Sequence, residues 1–561
     1  LFMRRLSRTE VMVVPTSVAA AMLAGCGSSG SPTNDVAALS ASPNSDIAGP
    51  LKAPTLEAAF ASAPYADMKS RDEFGRQLSI PALAFPNLTG DEMSHAAHGL
   101  AIFTDPRPSN TSGVGPYFNQ RNCLGCHQAQ LETQKPPLVA TPVSRGRQED
   151  GFLLFGDFNP ATGAYDPRAD AGGPIFHQQH LPGFPPQQLP PLKGGGLIRV
   201  TGIRAAPPYI GRGLLEAVPD SEILALADPF GTNKMGPDIR GQVNMNSEAA
   251  ANFIGASTTV RPSRFGLRAA GPTLFQFMLG GLTGKIGLTT PFTPNENEPA
   301  LADDGAPDPE VSADDVRDLL TMIRMMAPPA PSVTKEQLTI EDLQDPTEDP
   351  RVPRANGAPD GKPVSFGSEN RGRILFGADY TRPFGFRPPR ATDQTAADLI
   401  ADPGGPNMNC AGCHTPILVT GQSPANLGAE HLTNKKFFAF TDMLIHHMGT
   451  NDIDDVLPAQ GAAQPDQWRT TPLMGIGLVG PPFFHDGRIS TDIDMFDALD
   501  RAIRAHDTPG SESNPSALAY EILDAQGPVT VPVTLPDHTG AIVTQNVTFI
   551  ADDVINYMRS L

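Results

Sequence analysis

Cysteine and tryptophan are scarce in this chain of 561 residues, which contains five cysteines and one tryptophan. Four of the cysteines lie in two short motifs and the fifth, Cys26, stands alone, so no pair remains for a structural disulfide.

Basic residues are outnumbered by acidic ones, and the net charge of −20 argues against nucleic acid as a partner, because nucleic-acid sites need basic patches. The charge permits a basic redox partner, but simple solubility is the favoured explanation.

The apolar stretch at residues 11–23 is too short to span a bilayer. It follows a basic segment at residues 3–8 and ends in Leu-Ala-Gly before Cys26, which resembles the lipobox of a bacterial lipoprotein. We therefore predict lipidation at Cys26 and a lipid anchor in the membrane. Gly27 follows the cysteine and favours delivery to the outer membrane, so we expect a periplasm-facing lipoprotein.

Two C-x-x-C-H motifs dominate the rest of the chain. Their defining residues are Cys123, Cys126 and His127 in the first and Cys410, Cys413 and His414 in the second. This form predicts covalent haem attachment, in which two thiols add to the vinyl groups of one porphyrin and the histidine ligates the iron. A zinc ribbon or a thioredoxin-like motif is the alternative, but zinc pairs lie closer together and neither site requires the histidine. We predict two covalently bound haem c groups, with His127 and His414 as iron ligands.

One layout is repeated around the two motifs. A helical pattern with Gly and Phe four residues apart precedes each motif, at residues 98–103 and 371–376. A second helical pattern, which begins with Ala-Asp-Asp-Val at Ala313 and at Ala551, closes each copy. Because a glycine lets another helix approach closely, we expect the two helices of each copy to pack together, as in cytochrome c.

The repeat predicts a mainly α fold, with two tandem cytochrome c-like domains, long irregular loops and a small β-hairpin insertion. Alternating residues at 530–548 predict the hairpin, whereas the Pro/Gly-rich residues 130–200 are expected to be irregular. The predicted boundaries are a lipoprotein signal peptide at 1–25, a flexible tether and lead-in at 26–84, a first haem domain at 85–330, a linker at 331–359 and a second haem domain at 360–561.

Short strings around these landmarks carry a family resemblance. They are residues 115–119, 213–217, 264–266 and 287–291 in the first half, and 413–416, 440–449, 468–470 and 485–488 in the second. From about residue 85 to its end, the chain resembles the bacterial di-haem oxidoreductases, described as peroxidases and sometimes labelled thiol oxidoreductases. More distantly it resembles di-haem cytochrome c peroxidases and the di-haem enzyme that matures methylamine dehydrogenase. It departs from the family pattern at His447, at Leu267 and in a longer stretch between His485 and His506.

The resemblance implies an oxidoreductase that passes electrons from one haem to a second, open haem, where peroxide or a related oxidant is reduced. An electron donor in the cell envelope would supply the electrons. For the second haem, the sixth ligand is predicted to be His506, with Met495 as the alternative. The first haem is expected to be open, because its nearest candidates lie in loops without a secure ligand spacing. Those candidates are His177, His180, Met235 and Met245.

Further site residues follow from the same resemblance and from their chemistry. His446 is predicted to reach the distal pocket of the first haem as a general acid and base, with Glu216 as a second candidate. Glu216 could equally be a carboxylate at a helix N-terminus. Arg204 and Arg469 are predicted to pair with haem propionates, because a guanidinium suits a carboxylate. Trp468 is either an electron relay or part of the core.

Calcium between the domains is possible by analogy, but the sequence does not place its ligands. Two other functions also stay open at this stage. One is a pure electron-transfer cytochrome without catalytic activity, and the other is oxidation of an organic or protein substrate.

Overall fold

The computed structural model of the chain describes residues 90–561, except for 105–112, 128–150, 208, 233, 236–238, 248–259, 297–303, 329–330, 350–351, 353–363, 390–394, 402–404, 422–431, 457–460, 480 and 490–492. The predicted signal peptide, Cys26 and the tether lie outside the described residues.

Helices occur in both halves of the described chain. They are α1 (Gly90–Thr104), α2 (Leu124–His127), α3 (Arg212–Glu216), α4 (Asp220–Leu226), α5 (Leu274–Gly281), α6 (Ala313–Met325), α7 (Phe366–Phe376), α8 (Ala396–Ile400), α9 (Ile476–Val479), α10 (Met495–Arg504), α11 (Asn514–Gln526) and α12 (Ala551–Arg559). A π-helix, Leu282–Ile286, directly follows α5. Within the described residues, no helix combines the length and the apolar character needed to cross a membrane.

Strands are short and are also found in both halves. They are β1 (Tyr117–Phe118), β2 (Gly151–Asn159), β3 (Ala164–Asp166), β4 (Gln179–His180), β5 (Ile198–Ala205), β6 (Met245–Ser247), β7 (Val260–Pro262), β8 (Ile417–Val419), β9 (Lys436–Phe438), β10 (Ile445–His447), β11 (Gln467–Arg469), β12 (Val529–Pro536) and β13 (Ile542–Phe549). All of them pair antiparallel, as the three-stranded sheet β3-β2-β5 and the two-stranded sheets β1-β4, β6-β7, β8-β9, β10-β11 and β12-β13.

The prediction of a mainly α fold is wrong, because 32% of the residues that the structure describes are helical and 19% lie in strands. The largest departure is in the segment expected to be irregular, where β2 pairs with β5 from Gly151↔Ala205 to Phe158↔Ile198. The partner strand lies some forty residues away and is separated by Pro/Gly-rich sequence, so local composition does not reveal the pairing. The predicted β-hairpin is confirmed as β12 and β13, which pair over their full length.

The predicted packing of helices around the two motifs is confirmed. Helix α1 packs on α6, and α7 packs on α12. A Cβ atom on Gly99 would overlap the backbone oxygen of Asp318, and one on Gly372 would overlap that of Asp553. Only glycine therefore allows these crossings, and the same geometry occurs in both halves.

A second close approach is also duplicated. The short helices α3 and α9 touch the last helix of their own half, where Gly213 faces the backbone of Arg324 and Gly477 faces that of Arg559. This repeated contact connects two similar strings, at residues 204–214 and 469–478, to the helices that flank each motif. The helix pairs and their short third helix hold each C-x-x-C-H motif against a hydrophobic core.

Candidate functional site

The second motif lies against a cavity of about 250 Å³. Its wall includes Cys410, Cys413 and His414, and His506 also lines it. Apolar side chains complete much of the wall, among them Phe376, Leu499, Ile503 and Met558. A largely apolar cavity with a few convergent polar groups is the usual form of a cofactor site.

His414 and His506 are oriented in the same way. Nδ1 of His414 lies 3.2 Å from the backbone oxygen of Phe440, and Nδ1 of His506 lies 2.7 Å from that of Ala502. A carbonyl on one ring nitrogen fixes the tautomer that leaves the other nitrogen, Nε2, for a metal. Burial lowers the pKa of His414 to about 4 and also lowers the pKa of His506, so both rings are neutral at pH 7.

The first motif has a similar histidine in different surroundings. Nδ1 of His127 donates to the backbone oxygen of Pro207 at 3.1 Å, and the ring packs near Phe103 and Tyr209. Burial, together with the nearby Arg212 guanidinium, lowers the pKa of His127 to about 4. His127 is therefore a neutral imidazole, and the proton on Nδ1 makes Nε2 the nitrogen that could ligate iron.

The residues of both motifs fit haem c. The four motif cysteines are thiols, and each pair is followed by a neutral histidine with a fixed tautomer. In the part of the chain that the structure describes, neither motif belongs to a group of three or more ligands close enough to share a metal ion. Because a structural zinc ion needs four such ligands, this geometry argues against the zinc alternative.

His446 lies beside the second motif rather than the first. Its Nδ1 is 3.8 Å from Sγ of Cys413, and its side chain lines the same cavity as His414. The ring is held between two carboxylates, with Nε2 2.8 Å from Asp442 and Nδ1 2.7 Å from Glu512. The structure thus places His446 beside the second motif, and its role as a general acid and base at the first haem stays a prediction.

Glu216 is fully buried at the end of α3. Its Oε2 accepts from Nε of Arg324 at 2.6 Å, and its Oε1 accepts the backbone N–H of Leu274 at 3.0 Å. Glu216 thus joins α3, α5 and α6, with its carboxylate in a buried ion pair. Its predicted catalytic role is untested, and the contacts add a structural role.

The two predicted propionate partners are both engaged with protein atoms. Arg204 forms an ion pair with Asp454 and lies with its guanidinium 4.9 Å from the ring of Trp468. Arg469 lines the cavity and donates to the backbone oxygens of Gly266 and Thr470. Pairing of either residue with a propionate therefore stays a prediction, and only Arg469 lines the described cavity.

Trp468 is buried in the cavity wall and stacks on His485, with ring centroids 3.6 Å apart and an interplanar angle of 13°. Its Nε1 donates to the backbone oxygen of Asp452 at 2.7 Å. Burial and the nearby guanidinium of Arg204 lower the pKa of His485 to about 2, so this ring is neutral. The relay and core interpretations of Trp468 both remain compatible with this position.

The loop residues considered for the first haem have other partners. His177 is buried with Nδ1 3.1 Å from Gln187 and Nε2 3.2 Å from the backbone oxygen of Gly284. Nδ1 of His180 lies near the backbone oxygen of Leu181. Met235 lies by Gly412 of the second motif. Met495, the alternative ligand for the second haem, begins α10 and is not among the residues that line the cavity.

One acidic group could hold a cation in the described part of the chain. Carboxylate oxygens of Glu296, Asp308 and Glu310 lie within 4.8 Å of one another. The hydroxyl of Thr289 lies within hydrogen-bond distance of both Asp308 and Glu310. Acidic groups of this kind are common without an ion, so the calcium ion that the sequence analysis raised by analogy has no assigned site.

Sequence reasoning missed Glu512 and gave no role to Asp442. Asp442 lies four residues before His446. Residues four apart are neighbours on a helix but not along an extended segment, so this spacing does not predict a contact. Glu512 lies 66 residues after His446 and becomes its neighbour only through the tertiary fold. No local pattern points to this pairing.

A family model described as "Di-haem oxidoreductase, putative peroxidase" matches residues 198–302 and 395–518. The first region contains Arg204 and Glu216, and the second contains the whole second motif together with His446 and Glu512. No curated protein and no solved structure matches the chain.

Proposed function

We propose that the chain, which a model of the di-haem oxidoreductase family matches over residues 198–302 and 395–518, is an exported di-haem c-type peroxidase. Haem bound at the two motifs would supply the redox chemistry. Electrons would be received at the second motif and pass to the first motif, where peroxide or a related oxidant would be reduced. The protein would supply the axial ligands, the polarity of each haem site and the access of the oxidant to it. Differences in these properties would give the two motifs their different roles.

The observation that carries this proposal is the arrangement of His414 and His506 around one cavity. Both rings are neutral and have Nδ1 on a backbone carbonyl, which leaves Nε2 of each for one iron. If His414 and His506 both held the haem iron, that haem would suit electron transfer and would have no position for an oxidant. We therefore assign the electron-transfer role to the second motif.

In the part of the chain that the structure describes, two of the four candidate ligands for the first haem, His177 and Met235, have other neighbours, which supports an open iron at the first motif. His177 uses both ring nitrogens in contacts with Gln187 and Gly284, and Met235 lies at the second motif. An iron with a vacant position can bind a small oxidant. The groups that act on the two histidines also differ, because Arg212 and Lys285 act on His127, whereas His506, the Asp442 carboxylate and His446 act on His414. Cations favour the reduced state and carboxylates the oxidised one, which favours electron flow from the second motif to the first.

The test is electron paramagnetic resonance of the haem-loaded protein, as isolated and half-reduced, together with the His506→Ala variant. We expect one low-spin and one high-spin haem in the wild type. His506→Ala should convert the low-spin signal to high-spin, because it removes one of two axial ligands. Met495→Leu is the matched control and should leave the low-spin signal unchanged.

A pure electron-transfer cytochrome is the competing function. It requires six-coordinate iron at both motifs and no reaction with peroxide. Two low-spin haems in both oxidation states, combined with no turnover of hydrogen peroxide, would establish that alternative and reject the peroxidase proposal.

For localisation, we propose a periplasm-facing lipoprotein held at the outer membrane through Cys26 and served by an envelope electron donor. The supporting observations are the lipobox-like Leu-Ala-Gly before Cys26 and the predicted c-type attachment, which takes place outside the cytoplasm. Cys26→Ala should move the protein from the membrane fraction to the soluble periplasmic fraction. Retention of the variant in the outer membrane would contradict the proposal.

A further inference from the structure

Glu512 connects three parts of the molecule at the second motif. Its Oε2 lies 2.7 Å from Nδ1 of His446 and accepts the backbone N–H of Arg240, also at 2.7 Å. Its Oε1 accepts the backbone N–H of His447 at 3.1 Å. A carboxylate with this many fixed donors is held in one position, and it holds the His446 ring in turn.

Asp442 completes the arrangement from the other side of the ring. Its Oδ2 lies 2.8 Å from Nε2 of His446, so each ring nitrogen faces a carboxylate. The side chains of His446, Asp442 and Glu512 are 2%, 1% and 7% exposed. Water therefore has little access to these three groups, and their charges are weakly screened.

The charge of this cluster follows from its geometry. Burial alone would lower the pKa of His446, but the Cys413 sulfur and the Asp442 carboxylate raise the pKa well above its ordinary value. Bonding to haem would make the Cys413 sulfur a neutral thioether, whereas the two carboxylates would remain. An imidazolium between two carboxylates carries a net charge of about −1 beside the haem edge, since each nitrogen donates to one carboxylate.

We propose that His446 and Glu512 are positioning residues that set the redox potential of the haem at the second motif. The proposal rests on the proposed attachment of haem at Cys410 and Cys413, and it goes beyond the acid–base role predicted for His446. A fixed charge acts on the equilibrium between the two oxidation states, because the oxidised haem carries one more positive charge than the reduced haem.

The two residues should act with opposite sign. Glu512→Gln removes a negative charge and keeps a side-chain oxygen to accept a hydrogen bond, so the potential of the second haem should rise. His446→Gln removes the positive charge and leaves two carboxylates, so the potential should fall. A merely structural effect, in which either variant loosens the site and admits water, would move both potentials in the same direction.

His447 and Asp466 offer a matched control one residue along the strand. Nδ1 of His447 lies 2.9 Å from Asp466, but these side chains are 36% and 28% exposed, and neither is among the residues that line the cavity. Asp466→Asn therefore removes a histidine-bound carboxylate outside the cavity wall. We expect it to leave the potential of the second haem unchanged, because an exposed pair is screened by water and salt.

The experiment is a spectroelectrochemical titration of the haem-loaded full chain, with the low-spin haem followed by its resonance signal. A rise for Glu512→Gln, a fall for His446→Gln and no shift for Asp466→Asn support the proposal. Equal shifts in the control, or shifts of the same sign in both variants, overturn it. If Glu512→Gln does not fold, Asp442→Asn replaces it, because removal of that carboxylate should also raise the potential.

The same samples separate this inference from the proposed function. The haem count of the wild type and its turnover of hydrogen peroxide test the peroxidase proposal. The signs of the potential shifts test the roles of Glu512 and His446, whatever the oxidant is. A working peroxidase whose second haem does not respond to either variant would therefore retain its function and refute this inference alone.

Discussion

The two C-x-x-C-H motifs share one framework of helices but have different surroundings. In both, a histidine with Nδ1 on a carbonyl follows the cysteines, and a glycine crossing brings a C-terminal helix against the helix that precedes the motif. Around His414 the structure gathers His506, His446 and two carboxylates, whereas the groups that act on His127 are cationic. The difference shows that a duplicated framework can hold two similar iron ligands in distinct electrostatic environments.

The largest effect is expected when one of the two predicted attachment sites is removed at a time. Cys123→Ala with Cys126→Ala, and separately Cys410→Ala with Cys413→Ala, should each lower the haem content from two to one per chain, because each thiol pair binds one porphyrin. A pyridine haemochrome assay measures the content. We expect peroxide turnover to be lost in both variants, since each motif is needed for a different step. A double variant that retains two haems would contradict the assignment of its motif.

A second test concerns Glu216, which lies in the first half and was predicted from sequence to be catalytic. Glu216→Gln should lower the free energy of unfolding by about 3–5 kcal/mol, because it leaves the buried Arg324 guanidinium without its carboxylate. Chemical denaturation of the haem-loaded protein measures this change. Glu336→Gln is the control, because its pair with Lys436 is partly exposed to solvent and should contribute at most about 1 kcal/mol. Equal effects of the two substitutions would show that the Glu216 pair is not a structural contact of the expected strength.

The smallest expected effects come from the glycine crossings that the two halves share. Gly99→Ala and Gly372→Ala should each destabilise the protein by about 1–3 kcal/mol, because the new methyl group overlaps a backbone oxygen. Gly281→Ala in α5 is the control, since its Cβ would meet no atom within 4 Å. The control should be neutral or stabilising by up to about 1 kcal/mol, because alanine favours a helix. Thermal unfolding checks all three, and a neutral Gly372→Ala would break the structural parallel between the halves.

Local patterns predicted several elements well. The Gly/Phe helices, the Ala-Asp-Asp-Val helices and the hairpin at β12–β13 all form, because each is specified by side-chain periodicity within a short window. The mainly α fold class was wrong, because the β2-β5 ladder and the short paired strands depend on distant partners that local composition does not encode. His446 was predicted from the family resemblance to act as a general acid and base. No spacing in the sequence indicated that Glu512 and Cys413 are its neighbours.

The sequence by itself determined the two C-x-x-C-H motifs and their paired helices, because each of these is specified by particular residues at short, fixed spacings. The tertiary structure alone decided which polar groups meet at each motif. It placed His506 and His446 on one cavity with His414, and it buried Glu216 against Arg324. Those contacts join residues that are far apart in the chain, so they depend on how the helices and strands pack rather than on any local pattern.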